Sequence, residues 1–203
     1  GLRRGERGLG AQAGIEVRSL AEDVDDRTQT GSHAREPPKG GQYTFATTED
    51  VMDLSDKLLK LKPEGMETEE WERRLELAAC YRLFDWMGWS ELIYNHITVR
   101  VPGPEKHYLI NPYGLWYTEV TATNLVKVNL AGDAVDGSKY PVNRAGFVIH
   151  SAVHAAREDA HCVIHTHTTS GMAVSCKEGG LRHDNFYSAI LAGEVAYHDF
   201  EGI

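Results

Sequence analysis

Cysteine is scarce here. Cys80, Cys162 and Cys176 are the only three in 203 residues, an odd number without regular spacing. That excludes a disulfide framework and fits a reducing compartment. A basic stripe is also missing. Asp and Glu outnumber Lys and Arg by 30 to 21, a formal net charge of −9, so the electrostatic footprint of a nucleic-acid partner is absent. No apolar run approaches the ~18 residues that cross a bilayer, and residues 1–20 lack the apolar segment of a secretory signal. No repeat recurs at a fixed period, which removes solenoids and propellers. What remains, 41% hydrophobic and 25% charged residues, is the make-up of an ordinary soluble globular protein, with the cytoplasm as its expected location.

Residues 1–45 read as a disordered N-terminal tail. GLRRGERGLGAQAG and TGSHAREPPKGGQ are rich in Gly, Arg and polar residues, and bury too little apolar surface to offset the entropy of ordering. The early arginines suit organelle targeting, but EVRSLAEDVDDR breaks that pattern. The folded domain is expected over 46–203. In TEDVMDLSDKLLKL, Val51, Leu54, Leu58, Leu59 and Leu61 fall at helical spacing, with Thr48 as N-cap and Pro63 as stop. In ETEEWERRLELAACYRLFDWMGW, capped by Thr68, the residues Trp71, Leu75, Ala78, Ala79, Leu83 and Met87 predict a core face. Gly88 suits a left-handed C-cap.

Strand signals follow. LIYNHITVRV (92–101) and KHYLINP (106–112) alternate and flank a Pro-Gly-Pro turn, and LVKVNLAGDAVDG (125–137) reads as two short strands about a turn. NRAGFVIHSAVHAAR (143–157) has helical spacing, CVIHTHT a short buried strand, TSGMAVSCK a two-turn helix and EVAYHDFEGI a last strand. Helices before and after a mainly antiparallel sheet imply a layered α/β or α+β domain.

His165 and His167 carry the chemistry. Residues i and i+2 of a strand point to one face, so two imidazoles there can converge on one ion. Thr166, Thr168 and Thr169 are available as outer partners. Two histidines complete neither a structural nor a catalytic site, each of which needs more protein ligands. His150 and His154 share a helix face. His150 is the stronger candidate to join the pair, and His154 reads as an exposed or partly packed helix residue. His96 and Asn95 should alternate, one in and one out. His161, His183 and His198 read as solvated.

The runs LIYNHITVRV, LINPYGLWYTEVTATNLVKVNLAGDAVDG, NRAGFVIHSAVHAAREDAHCVIHTHT and EVAYHDFEGI, in that order, resemble the class II aldolase/adducin family from about Trp71 to Ile203. The resemblance implies a three-layer α/β/α domain and a homo-oligomer, commonly a tetramer, with one site wall supplied by a neighbouring subunit. It implies a divalent metal, usually zinc, that polarises a small sugar phosphate or related carbonyl compound during aldol cleavage or epimerisation. His165 and His167 match the family's His-x-His metal motif. Asn95 and Gly114 match positions that shape the substrate pocket.

The departures are as informative. The family enzymes carry Ser-Ser-Glu four residues ahead of the histidine matched by His150. Arg144, Ala145 and Gly146 stand there instead. The acid/base carboxylate is therefore replaced by glycine, and Arg144 is left to meet an anion in a different geometry. Tyr113 replaces the small hydroxyl residue before Gly114. The family's further metal-binding histidine lies many tens of residues beyond His-x-His, so the expectation is either that this ligand is absent or that it belongs to a C-terminal segment missing from the given sequence. Glu119 and Asp133 are substitute carboxylates on paper, with solvated surface charge the better reading. Two expectations follow: a partial metal site with altered or lost lyase or epimerase activity, or an adducin-like scaffold that binds actin and spectrin at the cytoskeleton.

Overall fold

The computed structural model describes residues 47–199, which form two compact units divided after Lys62. In the first, helix α1 (Thr48–Leu59) is capped by Thr47 rather than by Thr48. The Thr47 Oγ1 accepts from the Asp50 amide at 3.1 Å, and the Asp50 Oδ2 accepts from the Thr47 amide at 2.9 Å. The sequence TTED offers two adjacent caps, and only the first places an acid three residues on. The predicted tail at 1–45 lies outside the described residues.

The second unit opens with helix α2 (Thr68–Trp86). Its N-cap is Glu67, without a side-chain cap. It ends where expected, with Gly88 at φ +70°. Its buried face is Trp71, Arg74, Leu77, Ala78, Tyr81 and Phe84, shifted from the predicted stripe, so that Ala79 and Met87 are exposed. The shift has a polar cause. Arg74 sits in the middle of the face, 2% exposed. It is satisfied by Glu70 Oε1, Asp136 Oδ2 and the carbonyls of Ala122 and Leu125. A count of apolar spacings passes over an arginine.

Strands β1 (His96–Arg100), β2 (Tyr108–Ile110), β3 (Val126–Val128) and β4 (Cys162–His165) form an antiparallel sheet in the order β3-β2-β1-β4. Tyr108, Ile110, Val126 and Val128 pack into one core cluster with Leu130 and Val142. The β1–β2 register pairs Val99 with Leu109. Continued by two residues it would set Ile97 opposite Asn111. Tyr81 intervenes: its hydroxyl oxygen accepts from the Ile97 amide at 2.8 Å. It also stands 2.6 Å from the Ile97 carbonyl oxygen and 2.9 Å from Asn111 Oδ1, its single proton serving one of them. A helix side chain thus supplies the last rung of a sheet ladder.

Helix α3 (Arg144–Ala156) is capped by Asn143. It meets β1 on the face of Thr98 and Arg100, whose guanidinium donates to the His154 carbonyl oxygen at 2.6 Å. Alternation places Ile97, which faces α2, on the other side, so α2 and α3 cover opposite faces and the layers are α/β/α. Strand β4 is one edge of the sheet among the described residues, β3 the other. Strand β4 is half exposed rather than buried as expected, with Ile164 49% accessible. Helices α4 (Thr169–Ser175) and α5 (Phe186–Ala189) follow; the second was not foreseen. Residues 195–199 hold no strand, and the rest of the predicted last strand lies outside the described residues. No helix among the described residues is long and apolar enough to cross a membrane.

Candidate metal centre

Antiparallel pairing decides which histidines meet. Residue 96 of β1 lies opposite residue 165 of β4, so two histidines 69 positions apart in sequence become cross-strand neighbours. Their rings stack at 4.7 Å between centroids, 20° from parallel. On one side the stack continues to His150 of α3, 4.5 Å from His96. On the other it continues to His167, 4.6 Å from His165 and nearly perpendicular to it. Four imidazoles therefore run in a row from a helix, across the sheet face, to the loop after β4.

His167 lies past the end of β4, so the strand alternation expected for the His-x-His pair covers only its first member. The pair meets nonetheless, with the two Nε2 atoms 2.6 Å apart. Asn95 holds the second member in place: its Oδ1 accepts from the His167 amide at 3.1 Å, and its Nδ2 donates to the Trp89 carbonyl oxygen at 2.7 Å. Both polar ends of Asn95, 1% exposed, are thereby used for bracing. Tyr94 stacks over the His167 ring, and Glu91 Oε2 lies 3.7 Å from its Nδ1.

The inner half is buried. His150 and His96 are 0% and 3% exposed, and the Nε2 atom of each is buried without a hydrogen-bond partner. His96 Nδ1 lies 3.1 Å from the Tyr94 carbonyl oxygen. Thr98 Oγ1 stands 2.7 Å from His150 Nδ1 and 2.9 Å from His154 Nε2. His154 Nδ1 is 3.1 Å from the Ala160 carbonyl oxygen. Burial pushes the His150 imidazole down to about 3, helped by repulsion from His96, His154 and His165. Burial pushes His96 down to about 4, with His165 adding to it. His165 is lowered by burial and then by His167. These rings are neutral near pH 7, the state in which an imidazole ligates a metal. Among the described residues no three His, Cys, Asp or Glu side chains already close around one point as a bound ion requires. The four form a row, and only the outer pair faces inward at contact distance.

The expectations for single residues divide. His165, His167 and His150 belong to one cluster. His154, read as exposed or partly packed, is 1% exposed, because α3 turns it into the sheet. Asn95 and His96, expected on opposite sides, are both buried: β1 starts at His96, so Asn95 belongs to the preceding loop. Arg144 is exposed on the first turn of α3, and Gly114 occupies a loop at φ +94° with open space at its Cβ. Glu119 caps the Trp116 amide of a 3-10 turn and Asp133 accepts from Asn129, each within its own turn.

Sequence reasoning missed His96 as a member of the site, and Gly146 shows why it fits. A Cβ on Gly146 would lie 2.9 Å from His96 Cδ2 and 3.1 Å from its Nε2. The ring occupies the space of a side chain at 146. The one available sequence signal was a histidine at the head of a Val/Ile/Thr strand joined to a glycine inside an otherwise unbroken helix.

Residues 75–203 match the family described as Class II Aldolase and Adducin N-terminal domain. A Caulobacter vibrioides protein, whose name assigns it provisionally to aldolase class 2, is 54% identical over 134 residues, covering 66% of this chain and 52% of that protein. Alpha-adducin of Rattus norvegicus is 56% identical over 132 residues, covering 64% of this chain and 18% of the adducin. Among solved structures, L-fuculose 1-phosphate aldolase from Glaciozyma antarctica superposes with a TM-score of 0.59 at 33% identity, covering 68% of this chain and 57% of that one. The chain spans about half the length of the bacterial relative and under a fifth of the adducin.

Proposed function

Because the chain belongs to the Class II Aldolase and Adducin N-terminal domain family, we propose that it is a divalent-metal-binding domain of that family whose sugar-phosphate chemistry is altered or lost. The observation that carries this reading is the His165–His167 pair, its Nε2 atoms facing at 2.6 Å. Two nitrogens bound tetrahedrally at ~2.0–2.1 Å from one zinc stand roughly 3.3 Å apart, so the pair needs to part by less than about 1 Å to hold an ion. The donor chemistry fits as well. Neutral imidazoles are the preferred ligands of zinc-like ions, and a buried Nε2 without a partner on His150 is a ready further donor.

An ion held here would supply Lewis acidity to a carbonyl or hydroxyl oxygen of a small sugar phosphate or related carbonyl compound. The chain's own part is different from that of the enzymes it resembles. His165 and His167 bind, and Asn95 fixes the backbone of the second. Gly146 offers no proton acceptor where the resemblance expects glutamate, and the His96 ring fills the space such a side chain would need. Proton transfer at that atom is lost. Arg144, exposed at the head of α3, remains available to an anionic substrate group. The same reading takes the domain to work as a homo-oligomer in the cytoplasm.

Metal analysis of the purified full chain tests the proposal. Wild type should retain about one equivalent of zinc or a similar ion, and His165→Ala/His167→Ala should retain none. Sub-stoichiometric metal in both would sink it. Lyase and epimerase assays on sugar phosphates follow, with turnover at or near background expected. A second reading, an adducin-like scaffold for actin and spectrin, is favoured by the 56% identity to alpha-adducin. Co-sedimentation with actin filaments and spectrin would support it, and a domain that stays in the supernatant at all concentrations would end it.

A further inference from the structure

We infer that His96 is a further nitrogen donor to the ion held by His165 and His167, giving a site built from imidazoles alone. This rests on the reading that those two histidines hold an ion.

The argument starts from protons. A carbonyl oxygen only accepts, so His96 Nδ1, 3.1 Å from the Tyr94 carbonyl oxygen, carries the hydrogen. Its Nε2 is then a bare lone pair, and that atom is buried without a donor in reach. A second chain of hydrogen bonds gives the same result for His150. The Ala160 carbonyl oxygen accepts from the N–H at His154 Nδ1, so His154 Nε2 accepts from the Thr98 hydroxyl. The Thr98 oxygen then accepts from His150 Nδ1, which leaves His150 Nε2 as a lone pair, also buried and unpartnered. Two adjacent imidazoles, 4.5 Å apart, are locked into the tautomer that presents Nε2 as an acceptor, with nothing donating to either. A buried acceptor without a partner forfeits the hydrogen bond it had in water and destabilises the fold. A cation satisfies it. An Nδ1–H donated to a backbone carbonyl is also the outer support that metal-ligating histidines use.

Placement favours His96 over His150. It lies directly across from His165 in the sheet register, with ring centroids at 4.7 Å. His165 and His167 sit at the half-exposed strand edge, where rotation about their side-chain bonds can bring Nε2 toward the buried donor. Gly146 is the enabling residue: any side chain there would take the room of the His96 ring. Glycine at 146 and imidazole at 96 thus go together in this chain, because the ring takes the room a carboxylate side chain would need. An all-nitrogen neutral set selects zinc, cobalt, nickel or copper over magnesium, calcium or manganese. With glycine rather than a carboxylate at 146, more of the ion's charge is left for an anionic oxygen in its open position.

The test is titration of the metal-free full chain with Zn2+ and with Co2+, read by calorimetry and by the visible spectrum of the cobalt form. His96→Ala should weaken binding at least about 100-fold, the upper end of what loss of an outer partner alone costs, and should change the cobalt spectrum. Gly146→Ala, whose new methyl displaces the ring, should also weaken binding while the fold is kept. Nitrogen NMR of wild type needs no variant: the His96 Nε2 resonance should move on Zn2+ addition, and one that stays put overturns the inference. So does a His96→Ala protein that binds as wild type while His165→Ala does not; the His165–His167 reading survives that result. Wild type that binds neither ion ends both.

Discussion

Replacing Thr98 by valine removes one oxygen and tests the hydroxyl bridge that ties two histidines to the sheet. Thr98 is fully buried, and its hydroxyl bridges His150 Nδ1 at 2.7 Å and His154 Nε2 at 2.9 Å. Valine keeps the branched shape but has no polar atom. It leaves the His150 N–H without an acceptor and His154 Nε2 without a donor, each worth ~1–3 kcal/mol. The added buried methyl returns ~0.8 kcal/mol. The net loss is about 1–5 kcal/mol, to be read by urea denaturation of the metal-free protein. Thr98→Ser supplies the comparison. It keeps the hydroxyl and deletes one methyl, costing about 1 kcal/mol. Hydrophobicity alone ranks valine above serine at a buried strand position; the bridging hydroxyl ranks serine above valine. A valine variant within about 0.5 kcal/mol of wild type, or more stable than the serine variant, would refute the hydroxyl bridge between the two rings.

Tyr81→Phe should cost about 1–3 kcal/mol, because the buried Ile97 amide loses its acceptor; thermal melts check this, and a neutral result would remove the hydroxyl from the ladder. Arg74→Met should destabilise by roughly 3–5 kcal/mol, since Glu70 and Asp136 lose a buried cation. A stabilised variant in the same denaturation assay would show that apolar packing serves that position better. Gly132→Ala should be disfavoured twice: Gly132 holds φ +88°, and a Cβ there would meet the Phe147 ring at 2.8 Å. A loss of about 1–3 kcal/mol is expected, and none if the loop refits. With zinc at a hundred times its dissociation constant, the wild-type domain should gain about 2.7 kcal/mol, reversed by a chelator and absent in His165→Ala/His167→Ala.

Local pattern made most of the elements legible. The 3.6-residue spacing marked α1, α2 and α3, the alternation of Val126 and Val128 marked β3, and Gly88 marked the end of α2. The His165-x-His167 pair could be named as a metal candidate because its chemistry is local. His96 could not, since its tie to His165 depends on a register fixed by chain 60 residues and more away. Arg74 and His154 misled for a related reason: both are polar side chains whose burial is made tolerable by partners from other elements. No spacing within α2 or α3 records those partners. The missing carboxylate at 146 was visible as a gap against a family pattern, but what fills the gap was visible only once two strands and a helix were brought together.

The Tyr81 hydroxyl has a consequence in time as well as in space. Strands β1 and β2 can pair through Val99–Leu109 and Arg100–Tyr108 by themselves, but the bond at the Ile97 amide forms only when α2 has docked and delivered its phenol. That amide proton is therefore a natural reporter. In pulse-labelled refolding its protection should lag that of the Val99–Leu109 pairing and coincide with closure of the helix onto the sheet. In the native state its exchange with solvent should follow the opening of α2, making one backbone hydrogen a gauge of how tightly two layers of the domain are held together.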